Sequence, residues 1–138
     1  MENCIFCRIA RHESPACMIA EDEHTCCFLD IARDVEGHMV VIPRKHTTSL
    51  LDCDADTLRH VMQMVKRVTD HCIRCGYEGV NLLNASGECA GQSVPHLHMH
   101  LIPRKPGDGI DAWPALPGTD VPLASVHDRL RVKDGASQ

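Results

Sequence analysis

Aromatic side chains are scarce in this chain, with Phe6, Phe28, Tyr77 and Trp113 the whole supply in 138 residues. So few rings exclude a base-stacking platform for single-stranded nucleic acid and an aromatic-rich core. A basic excess is missing too. Fourteen Lys and Arg stand against nineteen Asp and Glu, a formal net charge of -5, which argues against a broad surface that binds nucleic acid through its phosphates. An anionic small ligand can still be held where donors are local. No apolar run nears the roughly 20 residues of a membrane span, and the opening Met-Glu-Asn-Cys lacks the basic-then-apolar layout of a signal peptide. The expectation is a cytoplasmic protein that binds neither membrane nor nucleic acid.

What the chain has in excess is nine cysteines and ten histidines. A domain of this length buries roughly 70% of its unfolded surface, so no staple is needed merely to fold. In a reducing compartment an odd set of cysteines, spread from Cys4 to Cys89, does not read as a disulfide framework. Metal ligation, catalysis or plain burial has to account for them.

The chain shows no repeat and no linker before about residue 103, which reads as a domain over 1–104 and a Pro- and Gly-rich tail over 105–138 that is part of the same unit. Residues 4–10 suit a short helical turn. Extended runs follow at 17–21, 25–30 and 38–43, separated by polar or glycine-containing connectors, and read as an antiparallel meander. A long helix starts at Asp54 or Asp56, either of which can cap it, with an apolar stripe of Leu58, Val61, Met62, Val65, Val68, Cys72 and Ile73. Gly76 supplies its left-handed stop. Two more strands, 79–84 and 96–102, flank a loop whose glycines and small polar residues can cradle a ligand. The fold class is therefore α+β, with an antiparallel five-stranded sheet and one long helix. The tail is irregular, with a weak signal for a strand or helix over 121–132.

The densest chemistry lies in Pro95-His96-Leu97-His98-Met99-His100-Leu101-Ile102-Pro103. Alternation is the strand period, so His96, His98 and His100 project from one face and Leu97, Met99 and Leu101 enter the core. Imidazole titrates near neutrality, which makes it a poor choice for an ordinary solvated face. Such a row can bind a metal, transfer protons or attack an electrophile.

This run, His-φ-His-φ-His-φ-φ with φ hydrophobic, resembles the signature of the histidine triad family. The resemblance extends to Cys4-Ile5-Phe6-Cys7, Phe28-Leu29-Asp30-Ile31, Gly37-His38-Met39-Val40-Val41-Ile42-Pro43 and Gly91-Gln92-Ser93-Val94, and it is strongest toward the bacterial purine nucleoside phosphoramidase branch. It implies hydrolysis of AMP or GMP conjugates in two displacements at the α-phosphorus, with His98 the nucleophile. A backbone carbonyl or His38 would fix the tautomer of His98. His100 and Ser93 would meet the nonbridging phosphate oxygens, and Asn84 would lie near the phosphate. Asp30 and Ile31 would take the ribose. The same superfamily also implies two alternatives, cleavage of diadenosine polyphosphates and nucleotidyl transfer, while a nucleotide-binding scaffold is an alternative of another class.

The resemblance also gives meaning to Cys4-x-x-Cys7, which alone is a weak signal. Family members carrying this pair hold a structural zinc with two cysteines and two histidines, here Cys4, Cys7, His46 and His96, a tetrahedral set with no open position. One zinc per chain and no catalytic metal are implied, together with a homodimer. A second pair, Cys72 and Cys75, is read as buried on the long helix rather than as a further zinc site. Cys17, Cys26, Cys27 and Cys53 are assigned to core or partly exposed strand positions.

Overall fold

The computed structural model describes residues 3–133, so 134–138 of the tail lie outside it. Its elements are α1 (Ile5–Ala10), β1 (Met18–Glu21), β2 (Thr25–Leu29), β3 (Met39–Pro43), α2 (Ala55–Arg74), β4 (Gly79–Leu83), β5 (Met99–Arg104) and α3 (Leu123–Leu130), with a single 3-10 turn at Glu88–Ala90. The strands form one antiparallel sheet in the order β1-β2-β3-β5-β4, so the α+β architecture expected from the sequence is the one observed.

Local chemistry explains the elements. Asp22 Oδ1 accepts from the backbone N–H groups of His24 and Thr25, both at 2.8 Å, and this turn reverses the chain between β1 and β2. Asp54 caps α2 by accepting from Thr57 N at 2.7 Å. At the other end Gly76, with φ +103°, stops the helix as expected. The buried stripe of α2 is Val61, Met64, Val65, Val68 and Cys72. Met62 and Ile73, which the sequence placed on it, are 40% and 46% exposed. At 3.6 residues per turn Met64 lies three residues after Val61 and one before Val65, whereas Met62 is rotated away.

β3 divides its side chains between two cores. Met39 and Val41 pack under α2, while Val40 and Ile42 pack against Ile9 and Ala10 of α1. The sheet is thus covered on both faces, by a long helix on one and a short one on the other.

The histidine run departs from expectation in its pairing. The ladder of β5 begins only at Met99, because the Leu97 N–H donates to the Thr47 carbonyl at 2.7 Å in a loop instead of to a neighbouring strand. The alternation survives all the same. Leu97, Met99 and Leu101 lie in the core beneath α2, while His96 and His98 meet the edge of Phe6 on the α1 face, with ring centroids 5.9 and 5.2 Å away. In the tail, 123–130 is a helix with no buried residue. Among the described residues no helix is long and apolar enough to cross a membrane.

Candidate functional site

One cluster joins α1, the loop after β3 and the start of the histidine run. Cys4, Cys7, His46 and His96 place one ligand atom each so that all four lie within 4.8 Å of one another. His96, wholly buried, has Nε2 2.8 Å from the Pro43 carbonyl. A carbonyl only accepts, so Nε2 carries the hydrogen and the lone pair sits on Nδ1. That Nδ1 points at Cys4 Sγ (3.4 Å) and Cys7 Sγ (3.5 Å), and His46 Nδ1 approaches Cys7 Sγ at 3.2 Å. Burial holds the His96 imidazole down to about 4, and burial likewise pushes the Cys7 thiol up. Two sulfurs and two ring nitrogens converging in a partly buried site suit tetrahedral Zn²⁺.

The second cluster lies further along the same run. His98, 5% exposed, donates from Nδ1 to the His96 carbonyl at 2.7 Å, which leaves the lone pair on Nε2. Of the two acceptors the sequence left open for His98, the backbone carbonyl is the one used. His38 meets His100 instead, with Nε2 2.9 Å from His100 Nδ1, because Val40 of β3 pairs with His100 of β5 and His38 stands two residues before it. The other His38 nitrogen, Nδ1, is 2.8 Å from Asp34 Oδ1. That hydrogen bond holds the Asp34 carboxyl below its usual range. Burial lowers His100 from its ordinary value, and neighbouring His98 and His38 add to the effect. Asp34 carried no signal in the sequence beyond its place four residues before His38 in a polar turn.

Asp30 stands at the end of β2, where Oδ1 accepts from Ala32 N at 2.8 Å and Oδ2 is 3.8 Å from His38 Nε2. It lines a cleft of about 310 Å³ with Leu29, Arg33, Val35 and Gly37. Ile31, beside it, is 91% exposed. Ser93 is exposed in the loop before the histidine run and makes no side-chain hydrogen bond among the described residues. Asn84 is not a free polar group. Its Nδ2 donates to the His98 carbonyl at 3.0 Å and its Oδ1 accepts from Ser86 Oγ at 2.8 Å, so it braces the backbone under the histidine. The sequence reading also passed over Gln92. Gln92 Nε2 donates to the Thr48 and Val94 carbonyls at 2.6 and 3.0 Å and its Oε1 accepts from Gly87 N at 2.9 Å, which closes the loop carrying Ser93.

The remaining cysteines divide by burial. Cys26, Cys27 and Cys72 are buried, Cys53 is half-buried, and Cys17, Cys75 and Cys89 are exposed. Cys75, expected in the core with Cys72, follows the last residue of α2 and faces His71, its Sγ 3.5 Å from Nε2. Cys72 packs under α2 on the sheet face opposite α1, away from Cys4 and Cys7.

Comparison with known proteins agrees with this geometry. The chain is 42% identical over 106 residues to an uncharacterised HIT-like protein of Methanocaldococcus jannaschii, covering 77% of this chain and 82% of the relative. Over 57 residues, 39% of this chain and 37% of the relative, it is 40% identical to the adenosine 5'-monophosphoramidase of Candida albicans. The crystal structure of a Zn-bound histidine triad family protein from Mycobacterium smegmatis superposes with a TM-score of 0.75 at 33% identity, covering 80% of this chain and 81% of that one. The HIT domain matches residues 11–107. With most of its length inside that domain, the chain belongs to the HIT, or histidine triad, family.

Proposed function

We propose that the protein hydrolyses nucleoside 5'-phosphoramidates, purine nucleotides joined through the α-phosphorus to an amine, by way of a nucleotidyl-His98 intermediate. One observation carries the reading: the His96 carbonyl takes the Nδ1 hydrogen of His98 and leaves an unshared pair on Nε2. In the first step Nε2 attacks phosphorus, the P–N bond to the leaving amine breaks, and the amine takes a proton from the His38–His100 pair. In the second step water attacks phosphorus, the P–N bond to His98 breaks, and the nucleoside monophosphate departs. The proton released by water returns to the histidine pair. The Candida albicans phosphoramidase, similar over part of this chain, supports the choice of substrate.

Substrate contacts follow from position. Asp30, at the mouth of its cleft, takes the ribose hydroxyls, with exposed Ile31 alongside. His100, Ser93 and backbone amides of the loop after Gly91 face the nonbridging oxygens, where charge develops. Asn84 acts on the phosphate indirectly, by holding the His98 backbone. Cys4, Cys7, His46 and His96 would hold a structural zinc, which would cross-link the N-terminal turn to the run bearing His98. The protein works in the cytoplasm, where those thiols stay reduced, and as a homodimer.

The test is turnover of adenosine phosphoramidate without added divalent metal. His98→Ala should lose about a thousand-fold or more in kcat/KM, and the trapped intermediate should appear as a nucleotidyl adduct on His98 by mass spectrometry. A variant within a few fold of the parent would remove His98 as the nucleophile.

A further inference from the structure

Three donor atoms in the second cluster face one another. His38 Nε2 is 2.9 Å from His100 Nδ1 and 3.8 Å from Asp30 Oδ2, and all three lie within 4.8 Å of one another. We propose that Asp30, His38 and His100 form a second metal site, distinct from the cysteine-containing set, which takes a divalent transition-metal ion such as Zn²⁺ or Co²⁺.

The geometry favours an ion with open positions. Two nitrogens 2.9 Å apart, each about 2.1 Å from a shared ion, subtend an angle of about 90°. That is the angle between adjacent ligands in an octahedron. Two histidines and one carboxylate then occupy one face, and water or a ligand oxygen completes the shell. A tetrahedral ion would require the two rings to move apart by a few tenths of an ångström.

Two of the three donors are also aimed from behind, as metal ligands are. Asp34 Oδ1 holds His38 Nδ1 at 2.8 Å, so the carboxylate–histidine pair that orients a ligating imidazole is already present. The Ala32 N–H holds Asp30 Oδ1 at 2.8 Å and turns Oδ2 inward. Side chains of His38 and Asp30 are 9% and 23% exposed, which limits competition from bulk water. Two carboxylates, Asp30 and Asp34, offset the charge of a divalent ion. On binding, the hydrogen between His38 Nε2 and His100 Nδ1 moves to His100 Nε2, so both rings ligate as neutral imidazoles and both facing lone pairs pass to the metal.

The functional consequence rests on the reading above. An ion here occupies Asp30 and His100, which that reading assigns to ribose and phosphate, so metal and nucleotide exclude each other. Metal binding itself does not depend on what the enzyme cleaves. If phosphoramidate turnover fails while the second ion binds, the proposed reaction falls and the site stands.

The experiment titrates Co²⁺ into the full chain already carrying its thiolate-bound zinc. The expected result is a further ion per chain with no thiolate-to-cobalt charge-transfer band. Asp30→Asn and His38→Gln should each weaken that step at least about ten-fold, and Asp34→Asn about ten-fold by loss of the orienting carboxylate. In the wild-type chain Co²⁺ should perturb the ring NMR signals of His38 and His100 ahead of those of His24, His60 and His127, an arm that needs no variant to fold. The proposal is overturned if no further ion binds at millimolar Co²⁺. It is equally overturned if binding persists undiminished in Asp30→Asn and His38→Gln, or if His24 and His60 respond first.

Discussion

Two clusters of imidazoles share one short stretch of chain and are built in opposite ways. Around His96 the Nδ1 lone pair points to two sulfurs, His46 Nδ1 approaches one of them, and the remaining ring nitrogen of His96 is tied to the Pro43 carbonyl. Around His98 and His100 the backbone or a neighbouring histidine takes one nitrogen of each ring and leaves the other uncommitted. With a tetrahedral ion bound, the first arrangement would leave no ligand position open, as a structural site requires. The second can bind and react. What separates them is the partner of Nδ1: sulfur for His96, a carbonyl for His98, another imidazole for His100.

If that contrast is right, breaking the closed cluster should register first in stability. Replacing both Cys4 and Cys7 by Ser removes the thiolates, and loss of a structural metal should lower unfolding free energy by about 3 kcal/mol or more, read by chemical denaturation with zinc content measured in parallel. An unchanged midpoint in metal-free protein would place both clusters in the same class.

Breaking the open cluster should register in rate instead. His38→Gln removes the ring that faces His100 Nδ1 and should lower kcat by on the order of 10- to 100-fold, with the thermal midpoint nearly unmoved. A large fall in stability with little change in rate would reverse the roles of the two clusters. Asp34→Asn acts through His38 and lies at a half-exposed position, so a smaller loss is expected, roughly 3- to 10-fold in kcat. The depressed Asp34 carboxyl is ionised at neutral pH and accepts from His38 Nδ1, whereas an amide can turn its nitrogen toward the ring and oppose that tautomer.

The sequence made one cluster more legible than the other, for a physical reason. His96, His98 and His100 alternate with core residues, and periodicity of that kind survives even though Leu97 leaves the ladder for Thr47. The long helix was legible in extent and capping, from Asp54 to Gly76, and wrong where Met62 was taken for Met64 on the stripe and where Ile73 stands exposed. The pairing of His38 with His100, the support from Asp34 and the brace of Asn84 depend on how loops close onto β5. Loop closure leaves no period in the sequence. Cys75 was misplaced for a related reason, since the helix ends one residue before it and its side chain no longer shares the face of Cys72. The zinc set became legible only through the family resemblance, because Cys4-x-x-Cys7 by spacing alone admits several chemistries.

The smallest effect tests whether the loop of the open cluster is latched from its far side. Tyr77 donates to Glu36 Oε1 at 2.7 Å. Beside it Gly37, with φ +83°, passes so close to Pro103 that an added Cβ would sit 2.8 Å from Cγ, so the chain between Asp30 and His38 is pinned near β5. The hydrogen bond to Glu36, with burial second, holds the Tyr77 hydroxyl up to about 12. A group raised in the folded state stabilises fully below its unfolded value of about 10. That contribution is lost as pH rises through about 12. Tyr77→Phe should therefore lower the thermal midpoint by a small, constant amount up to about pH 10 and converge on the wild type as pH rises toward 12. Because the loop carries Asp30, KM for the phosphoramidate should rise about two-fold with kcat unchanged. A kcat effect as large as that of Asp34→Asn would mean that the latch reaches His38 and His100, and that the open cluster is held as firmly as the closed one.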